Sequence, residues 1–295
     1  NVEVKDETEG YIVRNETVYT AGKAGNVKRT VTEGELVKGN SKVVKISGEG
    51  ASSSSDKYDS LLKKIKKEDA VISTDNGNTE HPGYITYKLD GLEYLNSDNI
   101  FNMSENQFEK LGKSKISELS DGKVAKGEPV FKVIENGSWW YIFYADSETA
   151  NHYVKGQNVK ISIANKNMNA VVVGLHKGKG KSARIILRCR QYFDGFTTGR
   201  FEKANVTAAS SDGVVILTKS IVKKDGRKGV ITKDKIGRLK FKAISIKADN
   251  GEKAAVYEDI FMDSKGNYVK TISTYDEVVK SPSRRDIKNA KDVSK

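Results

Sequence analysis

The chain of 295 residues carries 51 Lys and Arg against 39 Asp and Glu, a formal charge of +12, with 37% hydrophobic residues, three prolines and one cysteine. At roughly 100–200 residues per domain this length suits two or three small domains with a core in each, which excludes disorder throughout. One cysteine and three scattered histidines exclude a disulfide framework and multi-cysteine zinc sites, and no run approaches the ~18–20 apolar residues of a spanning helix.

From Gly10 the runs Tyr11 to Arg14, Val18 to Thr20 and Val27 to Val31 read as short strands joined by tight turns. Thr32 to Gly39 is turn-rich, and Val43 to Ile46 returns to strand pattern. Residues 49–56 form a Gly/Ser linker, after which Tyr58, Leu61, Leu62 and Ile65 recur at helical spacing and predict a short amphipathic helix with Asp56 as its N-cap. Strand pattern resumes at Tyr84 to Tyr87. Residues 98–120, around Phe101, Phe108 and Leu111, read as mixed helix and loop before a strand at Val124.

An internal repeat links the two halves of this region. Gly25-Asn26-Val27 is followed by Val37-Lys38-Gly39, Val43 and Ile46; Gly83-Tyr84-Ile85 is followed by Val124-Ala125-Lys126-Gly127, Val130 and Val133. The leading glycine permits positive φ or close backbone approach, and Lys-Gly suits an exposed turn. Two such halves can sandwich their apolar faces.

Asn136-Gly137 is a hairpin signal in front of Trp139 to Tyr144, the most aromatic run of the chain. Those aromatics read as anchors between β domains, with a stacking platform for sugar or single-stranded nucleic acid as the alternative. Strands follow at Val159 to Ile163, Asn169 to Leu175 and Ala183 to Phe193. Alternation in the last places Ala183, Ile185, Leu187 and Cys189 on one face, with Arg184, Arg188 and Arg190 largely on the other. Cys189 is expected to be a buried small hydrophobe rather than a nucleophile. The last quarter, Gly213 to about Val279, is again β, with an Asp225-Gly226 hairpin turn, and 281–295 reads as a frayed tail.

No nucleophile elbow, phosphate-binding loop, zinc-protease or dinucleotide motif occurs. The run Lys177 to Lys181 between two predicted strands lacks a following helix and is expected to be an exposed hairpin tip. No uninterrupted basic block marks a nucleic-acid arm. No cofactor, metal or catalytic residue is nominated.

Taken in order, these segments resemble the HlyD-type membrane fusion proteins, or periplasmic adaptor subunits, in the style of Gram-positive clostridia. Tyr19 to Val27 with Glu33 to Val37 matches the first half of the family's lipoyl-like barrel-sandwich motif, and Gly83 to Tyr87 with Val124 to Val133 the second. Tyr192-Phe193-Asp194-Gly195-Phe196 resembles the adaptor β-barrel. Val214 to Leu217 with Ser220 to Val230 resembles the membrane-proximal domain, and Tyr275 to Val279 its closing strand.

The resemblance implies a mainly β fold: a split lipoyl-like barrel-sandwich hybrid at 10–138 with short helical inserts at about 50–80 and 98–120, a β-barrel at 139–212, a membrane-proximal β domain at 213–280 and a flexible tail at 281–295. Members that reach an outer-membrane channel insert a long α-hairpin between the sandwich halves; only the short helix near 58–68 stands there in this chain. Lys38-Gly39 also arrives one residue early for the usual Val-x-x-Gly turn.

The implied function is a non-enzymatic extracytoplasmic adaptor, anchored by an N-terminal helix upstream of Asn1 and tilting on its partner through flexible junctions. Its partner would be a membrane transporter or an envelope or division-complex protein. An anionic membrane surface or wall polymer and an oligomer stay open, and no nucleic acid is expected. Trp139, Trp140, Tyr192, Phe193, Phe196, Lys177, Lys179 and Lys181 are the candidate interface residues. The rivals are a binding module for wall polymer or carbohydrate built on the two tryptophans, which exposed indoles would favour and buried ones sink; a β-rich hydrolase with two convergent acids; and a nucleic-acid binder.

Overall fold

A computed structural model describes residues 1–51, 58–68, 70–109, 111, 116–177, 182–264 and 266–294. The chain divides into two compact units, Thr8–Ala204 and a second made of Asn1–Glu7 with Asn205–Lys295.

The larger unit is organised by two long strands. β1 (Val2–Ala21) and β10 (Pro129–Asp146) pair antiparallel, first through Gly10 to Arg14 against Phe143 to Trp139, then through Glu16 to Thr20 against Ile134 to Pro129. Between the two stretches the register slips, leaving residues 135–138 of β10 as a bulge opposite Asn15. Asn136-Gly137 therefore closes no hairpin. The separate strands read at Tyr11 to Arg14 and Val18 to Thr20 are likewise one continuous strand, since the polar Asn15-Glu16-Thr17 between them stays extended.

On one side of the slip lies the barrel-sandwich hybrid. One sheet carries β3 (Leu36–Val37), β6 (Gly83–Thr86), β10, β1 and β5 (Val71–Thr74); the other carries β4 (Val44–Ser47), β2 (Gly25–Arg29) and β9 (Lys123–Val124). Val27, Val43, Val44, Ile85, Val124, Phe131 and Val133 fill the space between, so the repeat is a true pair of sandwich halves. The leading glycines act by close approach: a Cβ on Gly83 would stand 2.3 Å from the Ile134 carbonyl oxygen, and one on Gly25 2.6 Å from Ile46 Cγ2. The early Lys38-Gly39 is resolved by Asn40, which takes the left-handed conformation (φ 62°) three residues after Val37, as Gly127 (φ 88°) does three after Val124.

α1 (Asp59–Lys66) buries Ile65 against this core; Asp56, its expected N-cap, lies outside the described residues. β7 (Lys88–Leu89) and β8 (Ser117–Glu118) pair, and α2 (Glu105–Glu109) lies between them in sequence.

On the other side of the slip, β10 continues through β13 (Ser182–Cys189), β12 (Lys166–Lys177), β11 (Asn158–Ile163) and β14 (Phe201–Ser211) back to β1, closing a six-stranded barrel. A one-turn helix, α3 (Ser147–Ala150), capped by Asp146, follows β10. Leu92, Leu95, Ile100, Phe108 and Leu111 pack on Trp140, Ile142 and Ile186 outside the barrel wall. Ile186 is thereby covered as fully as the inward-facing Ile185 and Leu187, and Arg184 is buried as well.

The second unit is also β. β15 (Val214–Leu217), β20 (Lys253–Val256) and β19 (Ile246–Asp249) form one sheet; β16 (Ile221–Lys224), β17 (Arg227–Lys233), β18 (Leu239–Ala243), β23 (Glu277–Val278) and β24 (Lys291–Asp292) form another; β21 (Ile260–Met262) pairs with β22 (Tyr268–Lys270). Asp225 (φ 49°) and Gly226 (φ 81°) close the β16–β17 hairpin as expected. The tail read as frayed instead forms α4 (Arg284–Asn289) under a Ser283/Asp286 capping box, then β24. Ala290 and Ser294 are buried, and the Ala243 amide donates to Ser294 Oγ at 2.6 Å. Composition misled here because the charged residues face outward from a docked segment.

Candidate functional site

Six ionisable side chains, three of each sign, lie buried together at the slip between sandwich and barrel: Arg14 and Glu16 from β1, Lys132 from β10, Asp90 and Glu93 from the segment after β7, and Arg200 ahead of β14. Glu16 is the centre. Its Oε2 accepts from Arg200 Nη2 at 2.5 Å and Lys132 Nζ at 3.4 Å. Arg14 Nε stands 2.9 Å from Glu16 Oε1, close enough to pair but not aligned, so both atoms lack a hydrogen bond.

Arg200 also grips Asp90 with Nε at 2.6 Å and Nη2 at 3.1 Å, while Lys132 donates to Glu93 Oε1 at 3.1 Å. The Asp90 and Gly91 amides donate to Glu93, and the Arg14 guanidinium donates to the Phe196 carbonyl and lies over its ring. The cluster thus ties two strands of the sandwich, the segment after β7 and the entrance to β14 together at one point. A junction expected to be flexible is crossed by two unbroken strands and six paired charges.

Burial alone would push the Glu16 and Asp90 carboxyls up; Arg200 and Lys132, helped by Arg14, outweigh it and hold both below the ordinary carboxylate range. Glu93 goes the other way, because burial, with Asp90 and Glu16 nearby, outweighs Lys132. Burial and repulsion from Arg200 lower Arg14 to about 10, whereas Glu16 and Asp90 outweigh burial and raise Arg200.

Stability from Glu16 and Asp90 is therefore fully present above their unfolded values, at about pH 4, and lost as pH falls from there through their lower folded values. Glu93 contributes with the opposite sign: its folded form holds the proton more tightly, so its ionisation costs stability as pH rises. Glu93→Gln removes that offset, and urea unfolding of this variant between about pH 6 and 3 is expected to show a steeper acid loss than the parent. An equal or shallower slope would contradict these assignments.

The expected interface residues fall into three groups. Trp139, Trp140, Phe193 and Phe196 are buried, so none offers a surface for a partner. Trp139 packs against Phe193 and Phe196 with centroids 5.7 and 5.5 Å apart, and its indole N–H donates to the Gln191 carbonyl at 2.9 Å. Trp140 supports the insert. Aromatic runs mark core as readily as contact surface, and burial of both indoles removes the sugar platform.

Tyr192 is half-buried with its hydroxyl 2.9 Å from both Asn136 Oδ1 and the Gly137 carbonyl, which clamps the bulge. Lys177 ends β12, and Lys179 and Lys181 lie outside the described residues. Cys189 is buried and its thiol is pushed up by burial, as a core residue's would be. The buried charge cluster was missed in the sequence; an Arg-x-Glu within a strand was its only local signal.

Among the described residues no group of His, Cys, Asp and Glu could hold a metal ion, and no helix is long and apolar enough to cross a membrane. Residues 16–135 match the family described as RND related, barrel-sandwich hybrid domain, and residues 139–210 the family described as RND related, beta-barrel domain. The boundary between the two matches falls in the β10 bulge.

Among solved structures, MacA from Actinobacillus actinomycetemcomitans aligns over 95% of this chain and 97% of its own at 13% identity and a TM-score of 0.39. ZneB from Cupriavidus metallidurans aligns over 96% and 90% at 12% and 0.29. The membrane fusion protein Spr0693 from Streptococcus pneumoniae R6 aligns over 70% and 100% at 11% and 0.30. No curated protein matches the chain. With the two domain matches running consecutively over residues 16–210, the chain belongs to the family that carries the RND-related barrel-sandwich hybrid and beta-barrel domains, the two domains expected of a membrane fusion protein.

Proposed function

We propose that this chain is an extracytoplasmic adaptor that engages a membrane transporter or an envelope assembly, held at the cell membrane by a helix upstream of Asn1. The domain division that goes with this reading is a barrel-sandwich at 10–138, a β-barrel at 139–212 and a membrane-proximal domain at 213–280 extended by the docked tail. The observation that carries it is the charge-locked passage of β1 and β10 from sandwich to barrel, which makes the two one stiff body. A part that transmits position between partners needs such stiffness more than it needs a pocket. Tyr192 and Lys177, the last residue of β12, are the contact points retained in this reading.

Photo-crosslinkers at Tyr192 and Lys177 of the full-length protein, activated in native membranes, test it. The expected adduct is a polytopic transporter subunit or an envelope-complex protein. Adducts confined to soluble proteins, or full release of the protein from membranes by carbonate, would overturn the reading.

A further inference from the structure

Residues 149–193 contain nine Lys and Arg and not one Asp or Glu, so most of the chain's +12 is concentrated in the stretch of sequence that carries β11, β12 and β13. The registers gather part of this charge on the outer barrel face. Asn158, Val171 and Arg188 stand side by side across the three strands, and Lys160 is opposite Asn169 in the adjoining row. Arg190, two residues beyond Arg188, projects from the same face at a backbone spacing of about 7 Å.

A depression of about 290 Å³ is lined by Asn158, Asn169, Ala170, Val171, Arg188, Arg190 and Gln191. Gln191 is held by its Oε1, which accepts from the Asn169 amide at 2.9 Å. Neither Arg188 nor Arg190 has a side-chain hydrogen bond or ion pair among the described residues, and the lining contains no carboxylate. Arg184, by contrast, spends its guanidinium on the Phe101 and Met103 carbonyls beneath the insert.

Two unpaired guanidinium forks beside three amide side chains are complementary to phosphate oxygens flanked by hydroxyls. We propose that this face binds a polymer of polyol units joined by phosphodiesters, Arg188 and Arg190 taking the phosphate oxygens and Asn158, Asn169 and Gln191 the hydroxyls of the intervening unit. The depression carries no exposed aromatic, Leu, Ile or Met to stack on bases or to enter a bilayer, which sets it apart from a nucleic-acid or lipid surface. This site is independent of the adaptor reading and replaces the buried tryptophans as the place where an anionic polymer would be held.

Fluorescence anisotropy with a labelled glycerol-phosphate oligomer of about ten units tests it, since attraction to a polyanion is salt-dependent and best read at two ionic strengths. The parent chain is expected to bind at low salt, with Arg188→Ala/Arg190→Ala at least tenfold weaker and of reduced salt slope. Arg188→Lys/Arg190→Lys should recover only part of the loss, because lysine keeps the charge without the fork. Unchanged thermal unfolding of these variants separates lost contacts from lost fold. No binding by the parent, equal binding by the alanine variant, or equal affinity for single-stranded DNA of matched charge or for anionic lipid vesicles would overturn the proposal.

Discussion

Glu16→Gln is expected to destabilise the Thr8–Ala204 unit by about 3–5 kcal/mol, the cost of leaving buried charges without their counter-ion. Glu16 is the one carboxylate within reach of all three buried cations, and glutamine keeps its size while removing its charge. For a unit of this length the loss corresponds to a melting temperature lower by roughly 10 °C, readable by denaturant and thermal unfolding. Lys132→Met in the same background should recover part of it, since the three cations left facing only Asp90 and Glu93 are then reduced to two and the cluster's charge is again balanced. A loss below about 1 kcal/mol for Glu16→Gln would mean that water reaches the cluster and that it does not lock the junction.

Trp139→Ala is expected to cost about 3–5 kcal/mol through the cavity left between Phe193 and Phe196 and the unpaired Gln191 carbonyl. Trp139→Phe should cost less, because a ring still fills most of the space. The same variants separate a packing role from a binding one. A ligand platform would lose affinity with little change in unfolding, whereas a core residue loses stability first. An alanine variant as stable as the parent would return Trp139 to the surface.

Periodicity and turn chemistry made much of the fold legible. The Gly-Val repeat, the alternation in Ala183 to Cys189 and the Asp225-Gly226 turn each depend on neighbours in sequence, and each stands where it was expected. What failed depends on distant partners. Asn15-Glu16-Thr17 looks like a break between strands because polar residues seldom interrupt a buried strand, and Lys132, Asp90 and Arg200, which make Glu16 tolerable there, lie 74 to 184 residues away from it. Asn136-Gly137 is a hairpin dipeptide spent on a bulge for the same reason. The tail's charges concealed a docked helix whose buried contacts are few. The site was the least legible part, since aromatic content pointed inward and the cationic face is assembled only when three strands are laid side by side.

The shared strands β1 and β10 also govern how this architecture can be taken apart. No cut at the bulge yields two sealed pieces: each fragment would carry a torn strand end with its backbone donors and acceptors bare, an invitation to pair with another chain. Sandwich and barrel are therefore expected to be inherited, exchanged and engineered as a single cassette, and a chimera that swaps one must transplant both strands and the salt lock between them.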